Sequence, residues 1–130
     1  MKTHILLVDD DIDEMKIFAE ALKDVVGDFK CTYASDGEHA LKMLPYLLPQ
    51  VIFVDFNMPQ MNGLQLAQEI RKVRRLDKIP LFLYSTHISM DVIQKANESG
   101  ITGYLVKPDT IAQLSGTLKT VLGAAIIPAY

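Results

Sequence analysis

Cys31 is the one cysteine in 130 residues, so no intrachain disulfide can form, which fits a reducing compartment. No apolar stretch approaches the ~20 residues needed to span a bilayer. The N-terminal apolar run, Ile5 to Val8, is short and meets aspartates at once, so no signal peptide is expected. Charge of either sign is barely in excess: the net value of −3 gives no electrostatic reason for nucleic acid or an anionic membrane as partner. Internal repeats, low-complexity segments and linkers are missing as well. The expectation is a cytoplasmic, single-domain protein, since 130 residues at 49% apolar and 22% charged can bury a core without metals or disulfides.

What is present is alternation. Short apolar runs at Ile5–Val8, Val51–Phe56, Leu81–Tyr84 and Tyr104–Val106, with a weaker one at Phe29–Ala34, are separated by segments of helical period. The nearly continuous runs suit strands covered on both faces of a parallel sheet. Ile12, Met15, Phe18, Ala19, Leu22, Val25 and Val26 share one helical face, and Gly27 is a stop. Ser35 with Glu38 has capping-box spacing before a second helix that should fail near Pro45 or Pro49. Asn62 with Gln65 is a looser box, opening a helix that carries Leu64, Ala67, Ile70 and Val73. A fourth helix is expected from about Ser89 to Ser99, stopping at Gly100. A fifth follows Asp109, with Ile111, Leu114, Leu118, Val121 and Leu122 on one side. Strict strand-helix alternation with right-handed crossovers predicts an α/β domain, (βα)5 and doubly wound, with helices on both faces of a parallel sheet.

Ligands of such sheets bind at the carboxyl ends of the strands, near the point where strand order reverses. The first strand ends on Asp9 and Asp10, the third on Asp55 and then Asn57, the fourth on Ser85 and Thr86, the fifth on Lys107 and Pro108. Carboxylates, a hydroxyl and a lysine are thus expected on one edge. Close-packed carboxylates need a balancing cation, and oxygen-only donors favour Mg²⁺ or Ca²⁺ over zinc. A sparse site with room for waters and a phosphate favours Mg²⁺, with the lysine as a point charge for a phosphoryl oxygen.

Simpler readings compete for parts of the acidic run. Asp11, Asp13 and Glu14 are read as first-turn residues that gain ~0.3–1 kcal/mol each from the helix dipole. A calcium loop starting at Asp9 is rejected, because its obligatory glycine position is Glu14 and a helical apolar face begins inside it. His4, His39 and His87 make no metal-ligand spacing.

From about Lys2 to Leu122 the chain resembles the receiver domain of two-component response regulators. The likeness rests on the acidic pair after Leu6-Leu7-Val8, on VDFNMPQMNG around Asp55, on PLFLYST ending the fourth strand, and on GYLVKP, all in order and at matching separations. It implies a flavodoxin-like fold with strand order 2-1-3-4-5. It also implies Mg²⁺-dependent transfer of a phosphoryl group from a histidine kinase, or a histidine phosphotransfer protein, to Asp55. By the resemblance Asp10 ligates the metal directly, Asp9 through water and Asn57 through its backbone carbonyl, which leaves the Asn57 side chain free to face the attacking water. Ser85 and Lys107 would each meet a phosphoryl oxygen, and the Lys107–Pro108 bond would be cis. Ser85 and Tyr104 would form the conformational switch, reshaping the surface of the fourth strand, fourth helix and fifth strand for a downstream protein target. Tyr104 is otherwise an ordinary half-buried strand tyrosine.

Departures from the family pattern bear on kinetics. Where receivers usually carry a small residue after the hydroxyl, this chain has Thr86, whose bulk should slow loss of the phosphate. His87 stands where receivers vary and tune that rate, or is simply solvated. Arg71, Lys72, Arg74 and Arg75 are read as a solvated face complementing a helix C-terminus. The apolar tail 123–130 is expected to pack on its own domain, ahead of pairing with a second copy or binding a partner. Residues 1–122 are expected to form the receiver with no effector domain after it, so output is expected through binding or onward phosphotransfer. The protein is not expected to be an enzyme beyond its own phosphorylation and dephosphorylation. Two rivals belong to other classes. A phosphatase of the haloacid dehalogenase type needs an aspartate where Asn57 stands, and a phosphate-independent interaction module would normally lose one of the residues kept here.

Overall fold

The computed structural model describes residues 2–125. Its strands are β1 (Thr3–Val8), β2 (Phe29–Ala34), β3 (Val51–Val54), β4 (Leu81–Ser85) and β5 (Gly103–Val106). Between and after them come α1 (Ile12–Lys23), α2 (Gly37–Met43), α3 (Gly63–Arg71), α4 (Met90–Glu98) and α5 (Ile111–Ala125). All pairings are parallel and the order is β2-β1-β3-β4-β5, as expected, so the order reverses beside β1.

The continuous apolar runs are explained by where they lie. Ile5 to Val8 and Val51 to Val54 have no exposed surface, because β1 and β3 are central and covered on both faces. Successive residues serve opposite layers. Leu6, Val8, Ile52 and Val54 pack with Leu66, Ala67 and Ile70 of α3 and Ala40 of α2. Ile5, Leu7, Val51 and Phe53 pack with Phe18, Ala21 and Leu22 of α1 and Leu114, Leu118 and Leu122 of α5. Phe18 meets Phe53 and Tyr84 edge-on at centroid distances of 5.4 and 5.9 Å, a favourable aromatic geometry. Edge strand β5 instead alternates, with Tyr104 and Val106 turned outward.

Several helix ends differ from expectation. Ile12 is 66% and Val26 91% exposed, since α1 begins at Ile12 and has ended before Val26. Val73 likewise lies past the end of α3 and is 37% exposed, and Ile111, the first residue of α5, is exposed. The cap of α2 is Asp36, whose Oδ1 accepts from His39 N at 2.7 Å; the Ser35–Glu38 box does not form, because the neighbouring residue takes the cap. The Asn62–Gln65 box is complete.

The basic cluster is only partly a solvated face. Arg71 donates from Nε to Gly100 O at 2.9 Å and from a terminal nitrogen to Leu76 O at 2.7 Å. Arg75 caps the carbonyls of Leu44 and Leu47 after α2. Both use the guanidinium fork to satisfy carbonyls left without helical partners. Of the apolar tail, α5 takes the first residues up to Ala125, and 126–130 lie outside the described residues.

Candidate functional site

Because the strands are parallel, their carboxyl ends share one edge, and the last rungs of the ladder fix what stands there. Asp9 N donates to Ala34 O at 3.0 Å, Asp55 N to Val8 O at 2.9 Å and Lys107 N to Ser85 O at 2.8 Å. These bonds bring together side chains far apart in sequence. Asp9, Asp10 and Asp55 each offer a carboxylate oxygen, and the three lie within 4.8 Å of one another; Asp9 and Asp55 are buried and Asp10 is exposed.

Lys107 ties the cluster. Its Nζ lies 2.9 Å from Asp9 Oδ2, 3.4 Å from Asp55 Oδ2 and 3.9 Å from Glu14 Oε2, and its side chain is 8% exposed. The ammonium also lies 5.1 Å from the centre of the Tyr84 ring, within cation–π range. Burial pulls the lysine pKa down, but the hydrogen bond and charge of Asp9, then the charges of Asp55 and Glu14, outweigh it and leave it raised. Burial lifts the Asp55 carboxyl above its ordinary range. Lys107 and the Asn57 backbone N–H oppose that lift, and Asp9 adds to it. One lysine faces three clustered carboxylates, so the site keeps an excess of negative charge suited to a hard cation.

The carboxylates are further held by backbone donors. Asp9 Oδ1 accepts from Asp11 N at 3.0 Å and Asp55 Oδ1 from Asn57 N at 3.1 Å. Gly63 lets α3 start against the acidic edge: a Cβ there would stand 2.7 Å from Asp55 O and 2.9 Å from Phe56 Cα. Sequence reasoning missed Gly63, Glu14 and Tyr84 as parts of this site. Only the glycine left a local sign, directly after the Asn62 cap.

The other expected residues divide. Ser85 is fully buried and accepts a hydrogen bond from Asn57 Nδ2 at 3.0 Å. The Asn57 amide, expected to be free, is therefore engaged. Thr86 and His87 are exposed just beyond β4, and Tyr104 is 46% exposed on β5. Among the described residues no peptide bond is cis, so Lys107–Pro108 is trans, the lower-energy isomer.

Residues 5–119 match the family model described as response regulator receiver domain. The chain belongs to this family. The receiver is 32% identical over 117 residues to the chemotaxis protein CheY of Pseudomonas aeruginosa, covering 90% of this chain and 94% of that protein. It is 33% identical over 117 residues to chemotaxis protein CheY-3 of Vibrio cholerae, covering 90% and 89%. The solved structure of chemotaxis response regulator CheY4 of Vibrio cholerae superposes with a TM-score of 0.81 at 30% identity, covering 93% of this receiver and 99% of that chain. Receiver domains are response regulators of two-component signalling rather than conventional enzymes, and they bind Mg²⁺ at an acidic aspartate pocket of the kind formed by Asp9, Asp10 and Asp55. They work with histidine kinases or phosphotransfer proteins and with downstream targets. No helix among the described residues is long and apolar enough to cross a membrane.

Proposed function

We propose that Asp55 accepts a phosphoryl group from a histidine kinase or phosphotransfer protein, in a Mg²⁺-dependent reaction. The observation that carries this reading is Lys107 Nζ held between Asp9 and Asp55 inside a cluster of three carboxylates. A carboxylate oxygen of Asp55 forms the new P–O bond in line as the bond from phosphorus to the donor breaks. Lys107, already beside Asp55 Oδ2, offers its charge to one phosphoryl oxygen, and Ser85 offers its hydroxyl to another.

The donor set fits Mg²⁺, being all oxygen, clustered and partly open through exposed Asp10. Asp9, Asp10, Asp55 and the Asn57 carbonyl would hold it. When bound, it offsets the repulsion between the carboxylate and the incoming anion. The output is a change at Ser85 and Tyr104 that alters the surface offered to a protein target. Tyr104 is 46% exposed on the edge strand, next to the strand that carries Ser85. Thr86 and His87 stand at the rim and set how long the phosphate lasts.

The test is incubation with acetyl phosphate, with and without Mg²⁺, followed by intact mass. A Mg²⁺-dependent gain of one phosphoryl group, absent in Asp55→Asn, is expected. If no adduct forms with acetyl phosphate or with a histidine kinase while the fold is intact, the protein is a phosphate-independent interaction module.

A further inference from the structure

Ser85 Oγ has no exposed surface and is held by a residue 28 positions away, through the bond from Asn57 Nδ2 at 3.0 Å. A hydroxyl has one proton to give and two lone pairs with which to accept. Here one lone pair is used by Asn57, and among the described residues no acceptor takes the proton. A buried donor left unpaired is costly, so this proton is a ready partner for an acceptor arriving nearby. Asn57 is bound at a second point, because its backbone N–H donates to Asp55 Oδ1 at 3.1 Å. One residue therefore grips both the carboxylate and the hydroxyl.

We propose that Asn57 is a positioning residue for Ser85: its amide occupies the accepting side of the hydroxyl and leaves the proton for an anionic oxygen attached to Asp55. This rests on Asp55 being the phosphoacceptor, and it gives the Asn57 side chain a task separate from its backbone carbonyl. An acceptor in place of the amide nitrogen would take the Ser85 proton, so the polarity of the contact decides its effect. Charge plays no part, since Asn57 is neutral, and the contact ties the end of β4 to the loop after β3.

The experiment is a titration with beryllium fluoride, a phosphoryl mimic, in the presence of Mg²⁺, followed by NMR on the full chain. Wild type, Asn57→Ala, Ser85→Ala and the double variant are compared. Asn57→Ala is expected to weaken binding about three- to tenfold, the worth of one oriented hydrogen bond. Its effect should vanish in the Ser85→Ala background, to within about twofold, since the two act as one unit. The Asn57 side-chain amide signals should shift in Ser85→Ala, a signature that general loosening of the fold would not give. Unchanged or tighter binding in Asn57→Ala, or additive losses in the double variant, would overturn the proposal; tighter binding would mean that Ser85 had been giving its proton to Asn57. If wild type binds no beryllium fluoride with Mg²⁺, the phosphoacceptor reading falls as well. Binding by wild type without loss in Asn57→Ala sinks the positioning role alone.

Discussion

Lys107 Nζ sits 2.9 Å from a carboxylate oxygen of Asp9, with the two side chains 8% and 0% exposed. They come from opposite ends of the chain, and the pair closes the site across β1, β3 and β5. Removing one member of a buried ion pair leaves the other uncompensated, which typically costs about 3–5 kcal/mol. Lys107→Met is therefore expected to lower unfolding free energy by about 3 kcal/mol in Mg²⁺-free buffer, measured by urea denaturation. Millimolar Mg²⁺ should recover a large part of that loss by replacing the missing positive charge. A deficit unaffected by Mg²⁺ would count against a shared electrostatic role.

Asp55 gives a prediction of opposite sign. Its carboxyl is held above its ordinary range, first by burial. A group whose pKa is raised on folding favours the native state fully below its unfolded value, and that advantage is lost as pH rises through the folded value. At neutral pH, without Mg²⁺, ionised Asp55 therefore weighs against the fold. Asp55→Asn should melt higher than wild type under those conditions, and the gap should narrow as pH falls into the carboxylate range. Mg²⁺ at a hundred times its Kd should stabilise wild type by about 2.7 kcal/mol and Asp55→Asn far less. Calorimetric scans at several pH values, with and without the metal, check both parts.

Thr86 lies exposed at the rim of the acidic edge, directly after buried Ser85. Thr86→Ala removes bulk beside the position a phosphate on Asp55 would take. The phosphorylated variant should lose its phosphate several-fold faster than wild type, roughly half to two-thirds of the ~1.4 kcal/mol that corresponds to tenfold. Decay of the phosphorylated mass after the donor is removed gives the rate. Equal decay would free Thr86 from any part in timing.

Gly63 is a steric test. An added Cβ would lie 2.7 Å from Asp55 O and 2.9 Å from Phe56 Cα, both backbone atoms that cannot turn aside. Gly63→Ala should cost about 1–3 kcal/mol of stability through this overpacking. Because the strain falls on the backbone of Asp55, Mg²⁺ affinity should drop with stability. Denaturation and a Mg²⁺ titration on the same variant would reveal whether the two losses travel together.

Much of this was legible in the chain. The apolar runs predicted β1 and β3 because a strand covered on both faces must be apolar at every position. The Asn62–Gln65 box could be read because capping is a contact across three residues. The same local logic failed at Ser35, where Asp36 was an equally good cap one residue on. It failed again at Arg71 and Arg75, whose carbonyl partners at Gly100, Leu44 and Leu47 lie on other elements.

The sequence by itself determined the alternation of elements, the all-parallel sheet and the set of charged residues at its carboxyl edge. Those follow from local pattern and from the handedness of crossovers. Only the tertiary structure decided that Lys107 bridges Asp9 and Asp55, that Glu14 and Tyr84 join it, and that the Asn57 amide is engaged with Ser85. Such contacts depend on side-chain direction to a fraction of an ångström between strands distant in the chain. No periodicity encodes that, because it is settled by how the helices pack the sheet from both sides.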